Sequence, residues 1–262
     1  HWLLCYEVIL LMLEFIDIHK SFSDKKILNG VSFKIDEGET LVIVGPSGTG
    51  KSVSLKHIVG LLTPDSGDIL FDNKSIIGIS GRELRELRNN FGMLFQSGAL
   101  LAWMTVEQNI ALPLLEQRKF SVKEIEKKVS ASIELLGLQG SERKRPSEIS
   151  GGMQKRVGLA RAIVTEPKIV LYDEPTSGLD PLMSRHIDTM IVDMQKELGI
   201  TSVVVTHDLH SAFSIGDRVA MLNKGKVIEI GHPKEFVKSK NHFVQDFIQA
   251  QFSAGYIEGI EL

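Results

Sequence analysis

The stretch Thr40–Ser52, TLVIVGPSGTGKS, decides the fold of this chain. Apolar and β-branched residues run into the pattern G-x-x-x-x-G-K-S, and the residues that follow, SVSLKHIVGLL, carry helical apolar spacing. Strand, glycine-rich turn and helix in that order form a phosphate-binding loop. Gly45, Gly48 and Gly50 let the main chain curl around Pro46, Ser47 and Thr49, so that N–H groups and the helix N-terminus surround anionic oxygens. Lys51 supplies a point charge for terminal phosphates, and the Ser52 hydroxyl is a hard oxygen suited to Mg²⁺. A mere glycine-rich turn beside a surface lysine would not call for the flanking strand and helix, both of which are present.

A second motif lies downstream. KIVLYDEPTSGLD, Lys168–Asp180, ends an apolar run in two adjacent carboxylates. In a phosphate-loop protein Asp173 is placed to hold Mg²⁺ and Glu174 to take a proton from an attacking water. By itself a DE pair is more often a solvated strand end.

Around these motifs the runs LEFIDI, VSFKI, TLVIV, GDILFD, KIVLY and TSVVVT read as strands. Ser121–Leu136 repeats apolar residues every three or four positions and reads as an amphipathic helix. A helix is expected from the glycine pair at 151 and 152 to about Thr165, and another over Leu182–Leu198 between two buried strands, which makes a βαβ crossover. The expected organisation is an α/β core interrupted by a helical insert over 97–164. From His232 onward, Phe236, Val237, Phe243, Val244, Phe247 and Ile248 imply short amphipathic helices that pack on the core.

The bulk numbers exclude some classes. With 262 residues, 43% hydrophobic and a formal charge of −3, the chain has ordinary globular composition and no electrostatic reason to bind nucleic acid. Cys5 is the one cysteine, so internal disulfides and cysteine metal clusters are ruled out. Trp2–Leu13 is apolar over 12 residues and includes Glu7, short of the roughly 20 a membrane span needs. Met12 stands before LEFIDI, so residues 1–11 are expected to be an upstream extension.

The segment EISGGMQKRVGLARAIVTEPKIVLYDEPTSGLD resembles the signature helix and following strand of the ATP-binding-cassette (ABC) ATPases, and the likeness runs over roughly Leu13–Gly231. It implies a P-loop NTPase (RecA-like) core, over 12–96 and 165–231, with an antiparallel β subdomain and a helical subdomain over 97–164, then a helical tail over 232–262. It also implies that Ser150, Gly151 and Gly152 contact the γ-phosphate of ATP held by a second, identical subunit. Ile149 and Met153 stand where the common signature has Leu and Gln. Gln96 matches the residue that touches Mg²⁺ and the attacking water, and His207 the switch histidine on the γ-phosphate. Phe22 stands where an aromatic stacks on adenine, with core packing as its alternative. Asp180 falls at the loop that crosses between subunits, or is simply a helix N-cap.

One phosphate loop and one signature imply a homodimer that sandwiches two ATP molecules with Mg²⁺. The compact cassette lacks the coiled coils of repair ATPases and the duplicated cassettes of translation factors. The resemblance therefore implies an ATPase on the inner, cytoplasmic face of the cell membrane, docked on separate integral permease subunits. LFQSGALLAWMTVEQNIALPL, from Leu94, and SGGMQKRVGLARAI are similar to the ATPases of Mla/Mce-type lipid transporters. That likeness implies phospholipid or related hydrophobic cargo and a lipid-binding Mce-type component. A polar-solute importer and a non-transport cassette are the alternatives. Within LFQSGALLAWMT, Ala99–Met104 either packs in the insert or forms an apolar patch for a permease helix.

Overall fold

The computed structural model describes residues 11–252. Its strands are β1 (Leu11–Phe22), β2 (Lys25–Asp36), β3 (Thr40–Val44), β4 (Ser66–Phe71), β5 (Lys74–Ser75), β6 (Phe91–Leu94), β7 (Ile169–Asp173), β8 (Thr201–Thr206), β9 (Arg218–Asn223) and β10 (Lys226–Gly231). Its helices are α1 (Lys51–Ile58), α2 (Gly81–Arg88), α3 (Val106–Gln117), α4 (Val122–Leu135), α5 (Gly151–Ile163), α6 (Pro181–Leu198), α7 (Leu209–Ile215), α8 (Pro233–Phe236) and α9 (His242–Gln249).

A six-stranded sheet in the order β10-β9-β3-β8-β7-β6 forms the centre. Pairing is parallel from β9 through β6, and only β10 runs antiparallel, at the edge. Burial on both faces explains why β3, β7 and β8 are buried at every position and carry apolar residues consecutively rather than in alternation. Val42, Val44, Val170, Tyr172 and Val204 face one core, shared with α3 to α7. Leu41, Ile43, Ile169, Leu171, Val203 and Val205 face the other, shared with α1 and the antiparallel sheet β2-β1-β4-β5. Alternate residues of each strand thus hold one layer each.

The helices begin where their sequences provide caps. Thr105 with Gln108, and Ser121 with Glu124, form reciprocal capping boxes for α3 and α4. Asp180, the N-cap of α6, accepts from the N–H groups of Leu182 and Met183, each at 3.0 Å. The N-cap reading of that residue is therefore realised, with Pro181 at the first helical position.

Some boundaries differ from expectation. β1 and β2 run 12 residues each, well past LEFIDI and VSFKI, because the tight turn at Ser23 (φ +50°) keeps them paired to their ends. Leu11 pairs with Asp36, so it belongs to β1, while residues 1–10 of the expected extension lie outside the described residues. α1 stops at Ile58 rather than Leu62, since Gly60 turns left-handed (φ +63°) and bonds back to His57. The C-terminal helices pack on the core as expected, with Phe236, Val244 and Ile248 at most 1% exposed.

Asp188 of α6 is buried and accepts from Ser211 Oγ of α7 at 2.5 Å. Burial, helped by the nearby Asp208 charge and opposed by the Ser211 bond, pushes its carboxyl up to about 6. The folded protein therefore holds this proton more tightly than the unfolded chain, and stability is lost as pH rises from about 4 through 6. Asp188→Asn keeps the acceptor without the charge. It is expected to raise stability at pH 7.5 by on the order of 1–3 kcal/mol and to flatten the melting temperature between pH 4 and 6. Thermal melts across that range check both effects.

Candidate functional site

Parallel strands deliver their C-terminal ends to one edge, where an open α/β sheet holds its ligand. β3 ends in the phosphate loop, β6 leads to Gln96, β7 ends at Asp173 and β8 leads to His207. Residues more than a hundred positions apart meet there because β3, β8, β7 and β6 are consecutive neighbours.

The loop takes the shape its glycines allow. Gly45 has φ +153°, and a Cβ there would lie 2.2 Å from Leu222 O. Gly50, the N-cap of α1, has φ +108°. Thr49 Oγ1 donates to Pro46 O at 2.9 Å and braces the turn. Gly48 and Ser47 lie on its open side, where nothing approaches a Cβ built on Gly48.

Lys51 is 7% exposed and donates from Nζ to Gly45 O at 2.8 Å and Pro46 O at 3.1 Å. Burial pulls its pKa down, against the pull of Glu174 and Asp173. Ser52 Oγ donates to Asp173 Oδ1 at 2.8 Å. Two hard oxygens from distant segments converge at the loop, a donor set that suits a small divalent cation completed by phosphate and water.

Glu174 lies between the groups expected to handle phosphate and water. Its Oε1 is 3.8 Å from Lys51 Nζ, and its Oε2 takes contacts from His207 Nδ1 at 2.8 Å and Thr206 Oγ1 at 3.4 Å. A carboxylate only accepts, so the His207 contact places the imidazole hydrogen on Nδ1. Glu174 also has φ +49°, uncommon and costly for a residue with a side chain.

Gln96 is held at both ends. Its side chain donates to Ser177 Oγ at 3.3 Å, and its carbonyl accepts from Lys155 Nζ. Phe22 is 45% exposed, with Lys20 Nζ 5.7 Å from its ring centroid, so it is no core residue. Ser150 caps α5, accepting from Met153 N at 3.3 Å, and is exposed together with Gly151, whereas Gly152 is buried. No hydrogen bond joins Ser150, Gly151 or Gly152 to the phosphate loop among the described residues. The contacts bring together Lys51, Ser52, Asp173, Glu174, His207 and Gln96, whereas no hydrogen bond or ion pair joins Phe22, Asp180 or the signature residues to that group among the described residues.

Sequence reading missed Lys155, Ser177 and Thr206. Lys155 looks like one more basic residue in SGGMQKR, although Gly158, Leu159 and Ala162, three, four and seven positions on along the same helix face, were a signal of burial. Asn109 was also missed. It is fully buried, accepts from Leu101 N at 2.8 Å and donates to the carbonyls of Leu101, Met104 and Thr105. It thereby shapes the loop that leaves Trp103 71% exposed.

Fold and site define a P-loop nucleotide-binding cassette. The ABC transporter family model matches residues 28–177, and the chain belongs to that family as an ABC ATPase. It is 43% identical to the probable ribonucleotide transport ATP-binding protein Mkl of Mycobacterium leprae, over 88% of this chain and 67% of that one. It is 38% identical to the intermembrane phospholipid transport ATP-binding protein MlaF of Haemophilus influenzae, over 87% and 86%. The ATP-binding cassette MJ0796, solved as a post-hydrolysis dimer with ADP and Pi, superposes with a TM-score of 0.78 at 32% identity, covering 85% and 99%. The chain spans about two thirds of the length of the Mkl relatives it matches.

Gly45→Ala drives a methyl group into Leu222 O, whereas Gly48→Ala meets open space and carries only left-handed strain of about 1–2 kcal/mol. Gly45→Ala is therefore expected to abolish binding of a fluorescent ATP analogue and lower the melting temperature. Gly48→Ala should fold and bind more weakly. Titration and melts of the two variants separate these outcomes.

Proposed function

We propose that this chain binds and hydrolyses ATP as a head-to-tail homodimer on separate permease subunits and drives movement of phospholipid or related hydrophobic cargo. The observation that carries the reading is the division of the site. Lys51, Asp173, Glu174, His207 and Gln96 gather at one edge, while the exposed start of α5 makes no hydrogen bond to the phosphate loop of its own chain among the described residues. An oriented helix start with a Ser hydroxyl and Gly N–H groups suits an anion brought by another subunit. Two copies related by a two-fold axis complete two sites.

In that arrangement the loop N–H groups and Lys51 hold the phosphates, and Phe22 offers a face to the adenine. Ser52 and Asp173, with Gln96, would hold Mg²⁺, which would neutralise phosphate charge during transfer. Glu174 takes a proton from water as its oxygen attacks the γ-phosphorus and the β–γ bridging oxygen leaves with ADP. His207, held by Glu174 through Nδ1, would donate from Nε2 to the γ-phosphate as the imidazolium, in which both ring nitrogens carry a hydrogen. Ser150, Gly151 and Gly152 of the second subunit grip the same phosphate, with Asp180 at the crossing. Loss of the shared γ-phosphate releases the dimer, which converts hydrolysis into a stroke.

No helix among the described residues is long and apolar enough to cross a membrane, which fits a peripheral subunit on the inner face. Trp103, exposed on a loop only a few residues beyond Gln96, supplies an apolar contact for a permease helix. Similarity to MlaF supports lipid cargo and a lipid-binding Mce-type component. The ribonucleotide named for Mkl favours the second reading, a polar solute. Mass spectrometry of molecules retained by the native complex decides between them: bound phospholipid supports the first, a polar solute-binding protein without lipid the second.

Glu174→Gln is expected to cut turnover by about 10²- to 10⁴-fold while retaining nucleotide. It should elute as an ATP-trapped dimer in size exclusion, and a monomer at saturating Mg-ATP would refute the two-subunit site. Trp103→Ala should leave folding and the ATPase of the isolated subunit intact while abolishing stimulation by the permease. Loss of folding would instead show that Trp103 holds its own loop together and would count against the docking role.

A further inference from the structure

Lys155 is a charged side chain with only 6% exposure, in the second turn of α5. Its Nζ donates to Gln96 O and, at 3.4 Å, to Glu174 O. These two carbonyls belong to the residues placed on the attacking water. Glu174 O also accepts from Ser177 N at 3.2 Å, and Ser177 Oγ accepts from the Gln96 side chain. Lys155 therefore closes a ring that runs Gln96, Ser177, Glu174, Lys155. Burial lowers its pKa while Asp173 and Glu174 raise it, so the cation sits within the field of both carboxylates.

The position of Lys155 on its helix gives the ring a further meaning. Ser150 caps α5, and five residues at 1.5 Å each place Lys155 about 7.5 Å along the same rigid element. Resting on the two-subunit reading above, we infer that Lys155 is a positioning residue. It ties the grip of α5 on one subunit's nucleotide to the placement of Gln96 and Glu174 beside the other. When the start of α5 engages phosphate on the partner, any shift of the helix is delivered through Lys155 to the two carbonyls in its own site. The ATP molecules are then coupled through one helix per subunit, with no ligand contact by Lys155 itself.

The test uses the full chain with Lys155→Met, which keeps length and apolar bulk but donates nothing, and Lys155→Gln, whose amide has two N–H donors. Lys155→Met is expected to lower kcat about tenfold or more and bring the Hill coefficient for Mg-ATP towards one, with affinity for a fluorescent ATP analogue within about twofold of the parent. Lys155→Gln should recover part of both kcat and cooperativity. Unchanged kcat and Hill coefficient in Lys155→Met would overturn the inference. So would a kcat loss that tracks a fall in nucleotide affinity and melting temperature, with no recovery in Lys155→Gln, since that marks a packing role. A Hill coefficient of one in the parent protein would overturn the two-subunit reading itself.

Discussion

Everything in this molecule depends on burying the central strands on both faces. A strand whose odd and even residues both leave water gains hydrophobic stabilisation twice but must have a layer on each side. Helices α3 to α7 supply one layer, and α1 with the antiparallel sheet supplies the other. Parallel pairing then makes every connection return across a face, so successive strands finish at the same edge. The phosphate loop, Asp173 and the loop of His207 become neighbours for that topological reason, before any attraction between them is considered.

That edge concentrates charge at a place already half out of water. Two buried lysines, Lys51 and Lys155, flank the Asp173–Glu174 pair, and burial lowers the pKa of both cations. Removing a lysine head from water is costly unless its hydrogens find acceptors. Main-chain carbonyls do that here: Gly45 and Pro46 for Lys51, Gln96 and Glu174 for Lys155. The arrangement keeps the carboxylates out of tight ion pairs with the two lysines. Glu174 accordingly stands 3.8 Å from Lys51, a longer approach than its 2.8 Å contact with His207.

Patterns set by local physics were legible in the sequence. The phosphate loop had to be glycine at Gly45 because the main chain there brushes Leu222 O, and the strand pattern of β3, β7 and β8 follows from two-sided burial. The cap before Pro181 was equally visible. Lys155, Asn109 and Ser177 were not, because their importance lies in contacts 8 to 81 residues away along the chain, Lys155 with the Gln96 carbonyl, Asn109 with the Leu101 main chain and Ser177 with the Gln96 side chain. The short α2 and α7, and the β9–β10 hairpin turning at Lys224 and Gly225, also escaped notice. Each is too short for periodicity to distinguish from a loop.

The segment from Gln96 to Trp103 joins these observations. Its beginning is held by α5, through Lys155 at Gln96 O and Arg161 at Gly98 O and Ala99 O, the last two at 2.7 and 2.8 Å. Its end is held by α3, through Asn109. A peptide fastened at both ends to helices of the same layer cannot move independently of them, whatever the freedom of its exposed tip. Displacement of Trp103 by a docked partner would therefore strain the anchors on α5 and reach Gln96 within a few residues. Motion of α5 would travel the opposite way, because coupling between two sites through one shared element is reciprocal. The apolar stretch that resembles core in the sequence thus serves as a strap, with its buried polar anchors fixing the path and Trp103 left outside.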